Sequence, residues 1–163
     1  MSDTLVRELE EKIDTGEAER LVCFVCTGNT CRSPMAEAVF NHLACGGEKA
    51  LRATSAGLAA FGEPISENAL LALSESGIPC AVQNNYKGHI SRPIDGELME
   101  KAELVVGISS SHAMRLMALF PQFASKITCM PEDIGDPYGG SLDVYRKCLG
   151  EIRRGVEKIY SML

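Results

Sequence analysis

Residues 21–40 read LVCFVCTGNTCRSPMAEAVF, placing Cys23, Cys26 and Cys31 within nine positions and following the last with Arg32 and Ser33. Cysteines so spaced serve one of three chemistries: a metal site, a redox pair or a nucleophile. A structural metal site needs about four ligands converging on one point. Cys23 and Cys26 lie in a run read as strand, where residues three apart face opposite sides of the sheet. The other cysteines, Cys45, Cys80, Cys129 and Cys148, are isolated, so no metal is expected. A thioredoxin-type pair sets Cys-x₂-Cys at a strand-to-helix turn. Here that turn carries Cys26 and Cys31 with four residues between them.

The nucleophile reading fits better. CTGNTCRS, residues 26–33, puts a cysteine at the end of a buried strand and an arginine and a serine at the start of a helix. A loop of this length can curl so that its backbone N–H groups converge on an anion, reinforced by the helix N-terminus. Gly28 and Asn29 are residue types that tolerate the left-handed backbone such a curl demands. Thr27, Gly28, Asn29, Thr30, Cys31 and Ser33 would line this phosphate cradle. Arg32 completes it, because a planar guanidinium holds two phosphate oxygens at once. The same positive field favours the thiolate of Cys26. Ser33 has two candidate roles, a hydroxyl on that sulfur and the N-cap of a helix with Pro34 in its first position.

Elements able to hold this loop are legible around it. Apolar, β-rich runs at 20–26, 51–57, 102–108 and 125–130 alternate with helical patterns near 34–45, 66–77, 95–100, 110–119 and 141–162. That alternation predicts βαβ units, an α/β protein with a parallel sheet. In the last helix Leu142, Tyr145, Leu149, Ile152, Val156 and Ile159 form one apolar stripe. NNYKGH (84–89) and PEDIGDPYGGS (131–141) read as loops. Residues 1–19, with Leu5, Leu9 and Ile13 spaced by four among acidic residues, form an N-terminal extension, an amphipathic helix or a fraying tail. Residues 20–163 are expected to make a single domain.

Composition narrows the function classes. The net charge of −6 argues against a nucleic-acid partner. The longest apolar runs, LVCFVC and AELVVGI, fall far short of the ~20 residues of a membrane span, and the acidic start is no export signal. A cytoplasmic protein is expected, its seven cysteines reduced thiols.

FVCTGNTCRSPMAEAVF, with SAG at 55–57 and DPYGGS at 136–141, resembles the low-molecular-weight protein tyrosine phosphatase family from about residue 20 to 162. The resemblance implies a three-layer flavodoxin-like fold with a four-stranded parallel sheet in the order 2-1-3-4. It implies Cys26 as nucleophile, Arg32 as phosphate ligand and Asp136 as general acid, although Asp-Pro also opens ordinary turns. It implies a network of Asn29, Ser33, Ser55 and His89 bracing the loop, His89 being otherwise a loop histidine. Cys31, otherwise a small apolar filler, becomes the redox partner that traps oxidised Cys26. Phosphorylated proteins would be the substrates, with no cofactor, and the enzyme a monomer or weak homodimer.

Two departures bear on the substrate. Tyrosine phosphatases of this family usually have isoleucine or leucine at Thr30 and a second tyrosine at Gly139. CTGNTCRSPMAE with DPYGGS is more similar to the bacterial protein arginine phosphatases, where threonine at this position accompanies preference for phosphoarginine. Phe61 and Tyr138 would wall the pocket. A tyrosine phosphatase is the alternative; an arsenate reductase lacks its relay, since Cys80 has no neighbouring partner. A non-catalytic phosphate-binding or redox module would gain nothing from Asp136.

Overall fold

The computed structural model describes residues 20–163; residues 1–19, where the amphipathic extension is expected, lie outside the described residues. In chain order come β1 (Arg20–Cys26), α1 (Arg32–Cys45), β2 (Leu51–Gly57), α2 (Glu67–Glu75), α3 (Gly96–Lys101), β3 (Leu104–Gly107), α4 (Ser110–Leu119), β4 (Ile127–Cys129) and α5 (Leu142–Met162). Short 3-10 turns stand at Tyr86–Gly88 and Pro121–Lys126.

The sheet is parallel throughout in the order β2-β1-β3-β4, with Phe24 of β1 aligned between Ser55 of β2 and Val106 of β3. The central strands β1 and β3 lack alternation because both faces are covered, whereas the edge strand β2 alternates over its first residues. Val22, Phe24, Cys26, Val106 and Ile108 pack against Met35, Val39 and Phe40 of α1, Leu73 of α2 and the Tyr145–Ile159 stripe of α5. On the other face Cys23, Val25, Ala56 and Val105 pack against Met99 of α3 and Leu116 of α4. This is the expected three-layer α/β arrangement. Cys23 and Cys26 accordingly belong to opposite faces.

Several boundaries differ from the sequence reading. Helix α1 begins at Arg32, with Cys31 as N-cap, so Ser33 is not the cap. The ladder opens when Met35 N–H donates to the Cys31 carbonyl, and Pro34 sits in the first turn, where no N–H needs an intrahelical acceptor. Strand β3 starts at Leu104 because Ala102 still donates to Leu98 of α3, and β4 starts at Ile127 because residues up to Lys126 coil into a 3-10 turn. The loop at 84–89 contains its own turn, anchored by Tyr86, whose hydroxyl donates to the Ile78 carbonyl at 2.6 Å.

Strand β1 leads into a helix on one face, and its neighbour β3 into a helix on the other. Between them lies the topological switch point, the crevice beyond the carboxyl ends of the strands where open α/β sheets bind ligands. Two glycines close this end. A Cβ on Gly57 would sit 2.6 Å from the Thr27 carbonyl oxygen, and one on Gly107 2.7 Å from the Ala113 amide nitrogen.

Candidate active site

Cys26, the last residue of β1, is 3% exposed. Its sulfur lies 2.9 Å from Ser33 Oγ and 3.3 Å from the backbone nitrogen of Asn29, which donates to it. Asn29 Nδ2 donates to Ser33 Oγ at 2.8 Å, and the Ser33 hydroxyl and the Cys26 sulfur share a hydrogen bond in which either can donate.

Asn29 is held from every side. Its φ of 57° makes it the one non-glycine residue with positive φ among the described residues. Nδ2 also donates to Ser55 Oγ at 3.0 Å, Oδ1 accepts from the Arg92 amide at 3.0 Å, and the carbonyl accepts from His89 Nε2 at 2.7 Å. Burial and then the Arg92 charge hold His89 below the usual histidine range, against the pull of the Asn29 carbonyl. Gly28, expected to share the left-handed curl, has no positive φ; Asn29 alone turns the loop. A Cβ on Gly28 would meet only Thr30 Oγ1, at 3.8 Å.

The loop encloses a cleft of about 290 Å³ lined by Cys26, Thr27, Gly28, Asn29, Thr30, Cys31 and Arg32. The Arg32 side chain is 8% exposed, and its Nη1 donates to the Ile134 carbonyl at 2.9 Å. Its Nη2 stands 3.8 Å from Oδ2 of Asp136, whose side chain is 55% exposed at the cleft mouth. Asp136 Oδ1 accepts from the Tyr138 amide at 3.1 Å, so this Asp-Pro turn holds its own carboxylate in place. Phe61 and Tyr138 also line the cleft, both largely exposed. Cys31 is buried in the core cluster beneath α1, as a small apolar filler would be, and its sulfur also has Tyr145 Oη at 3.3 Å, Ser66 Oγ at 3.4 Å and Thr30 Oγ1 at 3.6 Å. Ser33, Ser55 and His89 stand behind the loop rather than in the cleft.

Other residues of the site escaped the sequence reading. Glu37 Oε1 accepts from Ser55 Oγ at 3.2 Å, extending the bracing network into α1. Burial pushes its carboxyl up to about 7, against the Ser55 hydrogen bond and the Arg92 and Arg52 charges. A carboxylate four residues after Ser33, on the same helix face, was the available signal. Arg92, in SRPI, supplies the amide for Asn29 and a guanidinium to Ser55 O and Thr54 Oγ1. Glu63 and Ala59 join the cleft wall. His112 caps α4 by accepting the Ser109 amide on Nδ1 and meets Thr27 through Nε2.

The sequence matches the family described as Low molecular weight phosphotyrosine protein phosphatase over residues 21–163. A protein-arginine-phosphatase of Bacillus subtilis is 34% identical over 152 residues, 87% of this chain and 95% of the relative. The crystal structure of a low molecular weight protein tyrosine phosphatase from T. tengcongensis aligns with TM-score 0.80 at 34% identity, covering 89% of this chain and 100% of that one. A mutant of the YwlE arginine phosphatase with a phosphorylated active-site serine aligns with TM-score 0.79 at 32% identity, covering 88% and 95% of the two chains. With the sheet order, the Cys26–Ser33 loop and the Asp136 turn in place, these matches have one meaning: the chain belongs to the low molecular weight phosphotyrosine protein phosphatase family.

Proposed function

We propose that this chain is a protein phosphatase that hydrolyses phosphorylated side chains through a cysteinyl-phosphate, with phosphoarginine as its preferred substrate. The observation that carries the mechanism is the Cys26 sulfur, buried at the base of the cleft, accepting from the Asn29 amide and hydrogen-bonded to the Ser33 hydroxyl. The Cys26 thiolate attacks phosphorus in line, the P–S bond forms and the P–N bond breaks, while Arg32 and the loop amides hold the equatorial oxygens. Asp136 passes its proton to the leaving guanidine nitrogen. The resulting carboxylate takes a proton from water, which attacks phosphorus and returns the thiolate. No step calls for a metal or cofactor.

Thr30 supports the substrate choice. Its side chain lines the cleft, where its smaller, polar surface leaves room for a forked guanidinium that isoleucine would fill. The Bacillus subtilis relative named a protein-arginine-phosphatase adds to this reading, and the T. tengcongensis likeness keeps phosphotyrosine as the second substrate. Cys31 is proposed as the resolving thiol: after a peroxide oxidises Cys26 to a sulfenic acid, Cys31 attacks that sulfur and releases water, leaving a disulfide.

Phosphate release from para-nitrophenyl phosphate tests the chemistry. Cys26→Ser should abolish turnover and Asp136→Ala should lower kcat by about 10²-fold or more; wild-type rates in both would refute it. Side-by-side hydrolysis of phosphoarginine and phosphotyrosine proteins tests the preference. The wild type should favour phosphoarginine and Thr30→Ile should shift the ratio toward phosphotyrosine. A wild type inert toward phosphoarginine would overturn the substrate and leave the chemistry standing.

A further inference from the structure

His112, at the third position of α4 and 6% exposed, presents its two ring nitrogens to different partners. Nδ1 lies 3.1 Å from the backbone nitrogen of Ser109, a group that can only donate. Nδ1 therefore bears no proton, and the neutral ring carries its single hydrogen on Nε2. Burial first, and then the Arg32 guanidinium, keep the ring on the neutral side against the Asp136 and Asp133 carboxylates. Nε2 lies 3.1 Å from Thr27 Oγ1, so here the ring donates and the hydroxyl accepts. The hydrogen of Thr27 itself then finds no acceptor among the described residues, although Thr27 lines the cleft directly after Cys26.

We propose that His112 is a positioning residue: by fixing its tautomer through Ser109 it occupies one lone pair of Thr27 and turns that hydroxyl into a donor for an oxygen of the bound phosphoryl group. This deepens the function proposed above and rests on residues 26–33 being the phosphate loop. An unrestrained threonine hydroxyl rotates among several orientations. A donated hydrogen from a buried ring removes that freedom before the ligand arrives. Hydrogen bonds to charged groups are strong enough that losing this one should weaken oxyanion binding by about tenfold. Ser109 and Arg32 both donate to the Ile134 carbonyl, so the histidine shares its anchor with the arginine of the cradle.

Inorganic phosphate, as a competitive inhibitor of para-nitrophenyl phosphate hydrolysis, is the probe. Thr27→Val should raise its inhibition constant by about tenfold, and Thr27→Ser should restore it. His112→Asn keeps an acceptor for the Ser109 amide in the place of Nδ1 but has nothing in the place of Nε2. It should raise the constant by less than Thr27→Val does, because the freed hydroxyl still reaches the ligand in one of its orientations, and the double variant should be no worse than Thr27→Val alone. Additive losses, or an unchanged constant in Thr27→Val, would overturn the proposal. In the unaltered protein, nitrogen NMR of His112 should place the proton on Nε2, and a proton on Nδ1 would refute the relay whatever the variants do. If phosphate fails to inhibit the wild type, or Cys26→Ser still turns over, the loop reading itself falls. Inhibition that survives with an inactive Cys26→Ser and an unchanged Thr27→Val removes the relay alone.

Discussion

Ser33 accepts from Asn29 and meets the Cys26 sulfur, and once that sulfur is the thiolate of the proposed mechanism only the hydroxyl can donate between them. A donor on the sulfur helps most when the sulfur bears charge, as nucleophile and again as leaving group. Ser33→Ala should thus lower kcat by about 10-fold or more, the value of a hydrogen bond to a charged atom, with KM little changed. Steady-state kinetics on para-nitrophenyl phosphate reads both; a variant altered only in KM would contradict this role. The sequence allows Ser33 both this bond and the helix cap, and Cys31 takes the cap. Spacing could not choose, because whether the helix begins at residue 32 or 34 depends on where the loop spends its last turn.

At the scale of the element, the loop between β1 and α1 is shaped by one residue in a left-handed conformation. Asn29 accepts that conformation, and its side chain then ties the loop to β2 through Ser55 and to the 89–93 segment through Arg92. Asn29→Gly would keep the backbone and lose the ties, while Asn29→Ala would lose both. Urea unfolding should show the alanine variant less stable than the glycine variant by about 1–2 kcal/mol, the left-handed cost of a Cβ. Equal stabilities would mean that the turn is not strained. Strands, helices and the cradle were legible because periodicity and the Cys-to-Arg spacing are local signals. Glu37, Arg92 and His112 were not, since each gains its role only when a distant segment folds against the loop. The His112 cap had one local trace, a serine followed three residues later by a residue able to accept its amide, where glutamate or glutamine is usual.

For the whole molecule, Glu37 couples the bracing network to proton concentration. The fold prefers its protonated form, raising the carboxyl from 4.5 to about 7. Between those values the native state holds more protons than the unfolded one, so this group's contribution is full below 4.5 and is lost as pH rises through about 7. The loss amounts to about 3 kcal/mol. His89 and His112, both held low, act oppositely: their contribution is present above the usual histidine range and fades as pH falls. Glu37→Gln leaves the histidines untouched. The difference in unfolding free energy between variant and wild type should therefore grow in the variant's favour from pH 5 to pH 8 by about this amount, and a pH-independent difference would exclude the linkage. Among the described residues no helix is long and apolar enough to cross a membrane.

Gly57 and Gly107 end the two strands that flank β1, and neither has room for a methyl. One would press on the backbone just after Cys26, the other on the first turn that carries His112. Both positions are closed by backbone atoms, and neither contributes a functional group. Their identity is imposed by volume alone, so any route by which this scaffold acquires a new substrate must leave both untouched and work instead through the permissive rim of Phe61, Glu63 and Tyr138.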